Sequence, residues 1–110
     1  MSDVLLGSFE QAVLLAVVRL HDEAYGRAIL KEVQARLKRA VAAGAVHATL
    51  VRLERKGFLT SRLGSGTEVR AGRPRRYYAV RPSGQVALNE SRAVVDSLWR
   101  GVKWPLKGHA

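Results

Sequence analysis

The sequence predicts a mainly α-helical fold with one small β-hairpin, and three features predict it. Apolar residues recur at helical intervals in three successive segments before any strand-like run. Two short runs rich in aromatic and branched residues then flank a Gly- and Arg-rich loop, and a last helical segment follows. At 110 residues, 47% of them apolar, the chain is expected to build one core.

Ser8 and Gln11 have the spacing of a capping box, and Phe9, Val13, Ala16, Val17 and Leu20 follow on one stripe, so a first helix is expected over residues 8–20. His21, Asp22 and Glu23 interrupt it. Ile29, Leu30, Val33 and Leu37 line one face of a second helix, with Lys31, Arg36, Lys38 and Arg39 on the others; it should end near Arg39, before the small, pliable run Val41, Ala42, Ala43, Gly44. Val46, Leu50 and Leu53 share a stripe on a third helix that Gly57 stops, because glycine accepts the left-handed backbone of a helix end.

Residues 58–63 and 76–80 read as strands. Between them, residues 64–75 read as a long basic hairpin loop punctuated by Gly64, Gly66, Gly72 and Pro74. Tyr78 shares a strand face with Val80 and is assigned to the core; packing in the strand is the plain role for Tyr77 and Tyr78. Pro82, Ser83 and Gly84 punctuate again, and a fourth helix is expected over residues 83–100. This is the order of a winged helix-turn-helix DNA-binding domain, residues 1–82, followed by a C-terminal dimerisation helix and tail, residues 83–110.

The formal net charge of +10 points to a polyanionic partner. Between Arg52 and Arg81 nine basic residues face only Glu54 and Glu68, an excess of seven within thirty positions. Clustering of that kind marks a binding surface more than a solvated face. Helical geometry, about 100° per residue, sets Ala48, Val51 and Arg55 opposite the core stripe of the third helix, with His47 and Arg52 flanking them and Lys56 beyond. Arginine suits guanine edges and small apolar groups suit thymine methyls, so this helix is expected to enter the major groove of double-stranded DNA. Free N–H groups near Gly44 and Ala45 would hold a phosphate. Arg70, Arg73, Arg75 and Arg76 on the hairpin would supply phosphate or minor-groove contacts.

Catalytic chemistry finds no support. His21, His47 and His109 lack ligand spacing, no serine sits in a nucleophile elbow, and Gly64-Ser65-Gly66 is neither a P-loop nor a dinucleotide fingerprint. No enzyme activity, catalytic residue, metal or cofactor is expected. The absence of cysteine excludes disulfides and thiolate metal sites and suits a reducing compartment. With no signal-peptide pattern at the start and no apolar run of roughly 18 residues, a cytoplasmic protein without membrane association is expected.

Three segments, LGSFEQAVLLAVVRLHDEAYGRAIL, GAVHATLVRLERKGFL and SRLGSGTEVRAGRPRRYYAVRPSG, resemble the PadR-like transcriptional regulators. The pair Tyr25-Gly26, the run Arg52-Leu53-Glu54 with Gly57, and residues 72–78, Gly-Arg-Pro-Arg-Arg-Tyr-Tyr, make the combination specific. The resemblance implies a DNA-binding regulator that represses transcription, dimerises through its C-terminal helix and releases DNA on binding a small molecule. His47 departs from the pattern, since the family usually has Tyr there. The bland role for that histidine is a solvated side chain.

On the fourth helix Leu88, Val95, Leu98 and Val102 repeat at near-heptad spacing, with Ser91 in the remaining seam position and Trp99 adjacent. Two such repeats are too few for an independent coiled coil, so the seam of a homodimer is expected to pack also on the partner's first helix or on its arm, Val4, Leu5 and Leu6. Trp99 and Trp104 offer indole faces to a flat aromatic or cationic ligand; the simpler role of Trp99 is an anchor of the dimer. The rival to an operator-binding regulator is a winged-helix module used for RNA or protein contacts, since fold does not dictate function.

Overall fold

The computed structural model describes residues 5–64, 69–70 and 73–104, with the backbone alone at residues 69, 70 and 73. The first helix, α1, spans Ser8–Leu20 as its stripe predicts. Its N-cap, however, is Gly7 and not Ser8. Glu10 Oε1 accepts the Gly7 N–H at 3.0 Å, which is half of a capping box; glycine has no side chain for the other half. Gln11 instead reaches back, its Nε2 donating to the Leu6 carbonyl at 2.9 Å.

A single 3-10 turn, His21–Glu23, leads to α2 at Gly26–Leu37, which buries Ile29 and Val33. It stops two residues before the expected end because Lys38 turns left-handed, at φ 56° and ψ 44°. Gln34 then holds the turn: its carbonyl accepts the Lys38 N–H at 2.8 Å and its side-chain oxygen the Val41 N–H at 2.9 Å. Helix α3, Ala43–Arg55, starts inside the stretch expected to be pliable. It buries Val46, Thr49, Leu50 and Leu53, and Gly57 follows at φ 86°.

Strands β1 (Leu59–Leu63), β2 (Val69–Arg70), β3 (Arg73–Pro74) and β4 (Arg76–Val80) form the hairpin. β1 pairs antiparallel with β4 from Leu59↔Val80 to Leu63↔Arg76. β2 pairs with β3, so the arm expected to be a loop resumes a ladder further out. The Tyr78 N–H donates to the Ala24 carbonyl at 2.8 Å and Tyr25 bridges to Tyr77, which joins the hairpin to the chain just before α2. Both tyrosines are buried, Tyr78 in the main core and Tyr77 on the other strand face, where only Tyr78 was expected inside.

The core is continuous. Val13, Leu14 and Val17 of α1, Ile29 and Val33 of α2, Leu50 and Leu53 of α3 and Leu59 of β1 are its largest fully buried side chains. Each stabilises the fold by about 1.5–3 kcal/mol relative to exposure.

Helix α4 runs from Pro82 to Trp99, with proline in its first turn where no N–H is required. One stripe of it does two things. Gly84, Ala87 and Ser91 are buried against the chain's own body, and Leu88 packs on the same core. Val94, Val95, Leu98 and Trp99 continue beyond that body and are exposed, Leu98 by 71%. Three positions of the expected seam are placed as follows in the single chain. Leu88 is occupied within its own chain, Ser91 Oγ accepts the buried Leu6 N–H at 3.1 Å, and Val102 lies past the helix end. Of the expected arm, Leu6 is in its own core and Leu5 is exposed, while Val4 lies outside the described residues.

Gly84 sits where α4 crosses the hairpin. A Cβ there would stand 2.5 Å from the Phe58 carbonyl oxygen and 2.9 Å from Val80 Cγ1. Gly84→Ala should therefore destabilise the fold by about 1–3 kcal/mol, through overpacking against backbone. Thermal melts at fixed protein concentration check this; an unchanged Tm would mean that α4 docks less closely.

Candidate nucleic-acid interface

The buried stripe of α3 decides what its other side presents. Opposite Val46, Leu50 and Leu53, the residues Ala48, Val51 and Arg55 are exposed in one outward row. Helix amino ends leave N–H groups without partners, and here those are Ala43 and Gly44, because the Ala45 N–H already donates to the Ala42 carbonyl at 3.0 Å. Among the described residues, the free N–H groups expected at Gly44 and Ala45 thus begin one residue earlier.

Arg52 and Lys56 stand on one flank, toward α1. Arg52 Nε and Lys56 Nζ lie 3.4 and 3.3 Å from the same Glu10 oxygen, and Arg52 Nη2 donates to Thr49 Oγ1 at 3.3 Å. On the other flank His47 is exposed and Glu54 accepts from Ser61 Oγ at 2.8 Å. Arg76 Nη1 in turn donates to Ser61 Oγ at 3.0 Å, so a chain of two hydrogen bonds ties the base of the hairpin to α3.

A second tie runs through aromatic rings. The Arg75 guanidinium lies 4.1 Å above the Tyr25 ring, Tyr25 meets Tyr77 edge to face at 5.7 Å, and Arg62 lies 4.9 Å over Tyr77. Ring faces are negative and edges positive, so the order cation, ring, ring, cation is attractive at each contact. Tyr25 and Arg27 were not among the residues singled out for DNA contact. Tyr25 was marked only by the Tyr25-Gly26 motif and Arg27 only by its charge; the folded chain brings both, immediately before and within the first turn of α2, beside His47.

Tyr25, Arg27, His47, Arg75 and Arg76 together line a groove of about 660 Å³ between α2, α3 and the hairpin. The His47 flank of α3 and the base of the hairpin therefore face one groove. Ladder pairing carries the hairpin onward through Arg70 and Arg73, whose side chains lie outside the described residues.

Glu10 is the acid that meets the Arg52 and Lys56 flank of α3. Burial acts to raise its pKa, but the hydrogen bond from the Gly7 N–H, then Lys56 and Arg52, outweigh it and hold the carboxyl below its ordinary value. Among the described residues no group of three His, Cys, Asp or Glu is placed to hold a metal ion, and no helix is long and apolar enough to cross a membrane.

The sequence model of the transcriptional regulator PadR-like family matches residues 14–90. The chain belongs to the PadR-like family. It is therefore a DNA-binding regulator of transcription, and its family is one of regulators and not of enzymes. This PadR-like chain is 36% identical over 94 residues to transcriptional regulator Rv3488 of Mycobacterium tuberculosis, covering 79% of the chain and 83% of that relative. The PadR family regulator from Eggerthella lenta superposes with a TM-score of 0.63 at 30% identity, over 81% of this chain and 75% of that one. A transcriptional regulator from Clostridium thermocellum reaches a TM-score of 0.70 over 90% and 93%; at 22% identity it shares the fold. The match to the family takes in α2, α3 and the hairpin whole, and Tyr25-Gly26 and residues 74–78 of the resemblance lie in the stack and groove described above.

The lowered Glu10 pKa has a pH signature. Its stabilising contribution is complete above the unfolded value and is lost as pH falls through 4.5 toward the folded value. Wild type should exceed Glu10→Gln in Tm most above the unfolded value of 4.5, with the difference shrinking as pH falls below it. A gap that persists unchanged at low pH would show that the ion pairs are not its source.

Proposed function

We propose that this PadR-like regulator acts as a homodimeric, sequence-specific repressor, with residues 1–82 reading DNA and residues 83–110 pairing the chains. The observation that supports the DNA reading is the shared groove, which joins the His47 flank of α3, beside its outward row, to the arginines at the base of the hairpin. Ala48, Val51 and Arg55 read base edges in the major groove. His47, Arg70, Arg73, Arg75 and Arg76 hold phosphates or the neighbouring minor groove, while Arg52 and Lys56 stand on the flank beside Glu10.

The pairing surface is the exposed end of α4, with Val95, Leu98 and Trp99, joined by Leu5, Leu15 and Val18, which are also exposed. Apolar faces of that size on a small chain call for a partner, and a two-fold pair sets two recognition helices about 34 Å apart. Beyond the helix Gly101 turns the chain at φ 79°, and the Trp99 and Trp104 rings meet at 5.7 Å. That exposed indole pair is the proposed contact for a flat aromatic or cationic ligand that releases DNA.

Binding to duplex DNA and duplex RNA at matched salt tests the first part. DNA should be preferred, with a steep salt dependence, near −0.9 in log K against log salt per phosphate contact. On a selected duplex Arg55→Ala should cost about 1–3 kcal/mol at one base position and relax preference there. Equal loss at every sequence would assign Arg55 to the backbone, and stronger RNA binding would sink the regulator reading.

For the second part, Leu98→Asp should halve the mass by light scattering and abolish tight duplex binding, whereas an intact dimer would move the interface elsewhere. A panel of planar aromatic compounds should give a saturable tryptophan fluorescence response that Trp99→Ala removes. No saturable response retires the ligand.

A further inference from the structure

Glu10 lies outside the segment matched by the family, on the opposite flank of α3 from the groove, and spans two elements. One oxygen accepts the Gly7 N–H at 3.0 Å; the other meets Arg52 at 3.4 Å and Lys56 at 3.3 Å. Because both oxygens are engaged, the carboxylate cannot swing to follow a departing cation. Its own base is fixed as well: the Leu6 N–H is held by Ser91 of α4 and the Leu6 carbonyl by Gln11.

The two cations are placed differently from their partner. The Glu10 side chain is 15% exposed, whereas Arg52 and Lys56 are 45% and 38% exposed. They sit one helical turn apart on the edge of the outward row formed by Ala48, Val51 and Arg55. Ion pairs at such an edge add little to stability. Their effect on a polyanion is larger, since each cation left to itself near a duplex attracts phosphate whatever the sequence.

We propose that Glu10 is a positioning residue for DNA recognition, which holds Arg52 and Lys56 back on the flank of α3 so that Arg55 is the cation this helix presents outward. The inference rests on the reading that α3 enters DNA. Holding back two sequence-blind contacts lowers affinity for random DNA more than for the operator, whose base contacts are untouched. Glu10 thereby sets specificity without touching a base.

Glu10→Gln isolates the effect, because glutamine still offers Gly7 an oxygen acceptor and loses only the charge. Full-length protein is titrated against a fluorescein-labelled duplex of mixed sequence, long enough for two half-sites, across a salt series. Glu90→Gln, an exposed acid on α4, makes the same change in net charge and serves as control. Glu10→Gln should bind the mixed duplex more tightly, with a log–log salt slope steeper by about 1–2, and Glu90→Gln should leave the slope at the wild-type value. Glu10→Gln with Arg52→Gln should keep about half of the steepening, the share of Lys56.

A Glu10→Gln slope equal to or shallower than wild type overturns the proposal, as does an equal change in Glu90→Gln. Elution from immobilised heparin separates the two levels of argument. If wild type ignores duplexes in dilute buffer while Glu10→Gln still leaves heparin at higher salt than Glu90→Gln, the DNA reading fails and the restraint on the cations stands. If the two variants leave heparin together, the restraint fails.

Discussion

A two-stranded hairpin cannot stand alone in water, and the arrangement of the interface depends on how this one is anchored. The anchor is the stretch Ala24–Tyr25, where the Ala24 carbonyl takes the Tyr78 N–H and Tyr25 bridges to Tyr77. That attachment point is the residue before α2, so the hairpin must leave the body beside the amino ends of α2 and α3. The ring stack from Arg75 to Arg62 and the hydrogen bonds from Arg76 through Ser61 to Glu54 then stiffen the junction on both sides. Arginines that composition marks only as charge thus hold the hairpin in place.

Helix α4 illustrates a different constraint. Its apolar residues fall on one stripe, yet the body of the chain is too short to cover the whole of it. Gly84 and Ala87 are small because the helix crosses the hairpin in close contact, and Ser91 is polar because it has the Leu6 N–H to satisfy. Past Ser91 the residues grow large and apolar again, and they face outward. Size and polarity along one face record where the chain's own packing ends.

The start of α1 connects these regions. Leu6 is tied to α4, Gly7 and Glu10 close the helix end, and Glu10 meets the cations of α3. A shift of α4 relative to the body would therefore bear on the flank of the recognition helix through three residues. The tie is made of short hydrogen bonds at a buried base and looser ion pairs at an exposed rim, so rigidity falls toward the surface that would meet DNA.

Helix positions and strand positions were legible because periodicity is a local property. The spans 8–20 and 76–80 coincide with the expected elements, since the apolar period alone selects helix or strand there. The core stripe and the outward row of α3 were legible for the same reason. Caps and helix ends were not, because Gly7, Lys38 and Ala43 are decided by which side chain reaches a free backbone group. Partnership was illegible altogether: heptad spacing treats Leu88, Ser91 and Leu98 alike, whereas docking of α4 buries Ser91, half-buries Leu88 and leaves Leu98 exposed. What the chain determined by itself is the alternation of apolar and polar positions, which needs only neighbours in sequence. Which cations pair with Glu10, which stack on Tyr25 and which remain outward was decided by tertiary structure, because those distances exist only once residues far apart in the chain are brought together.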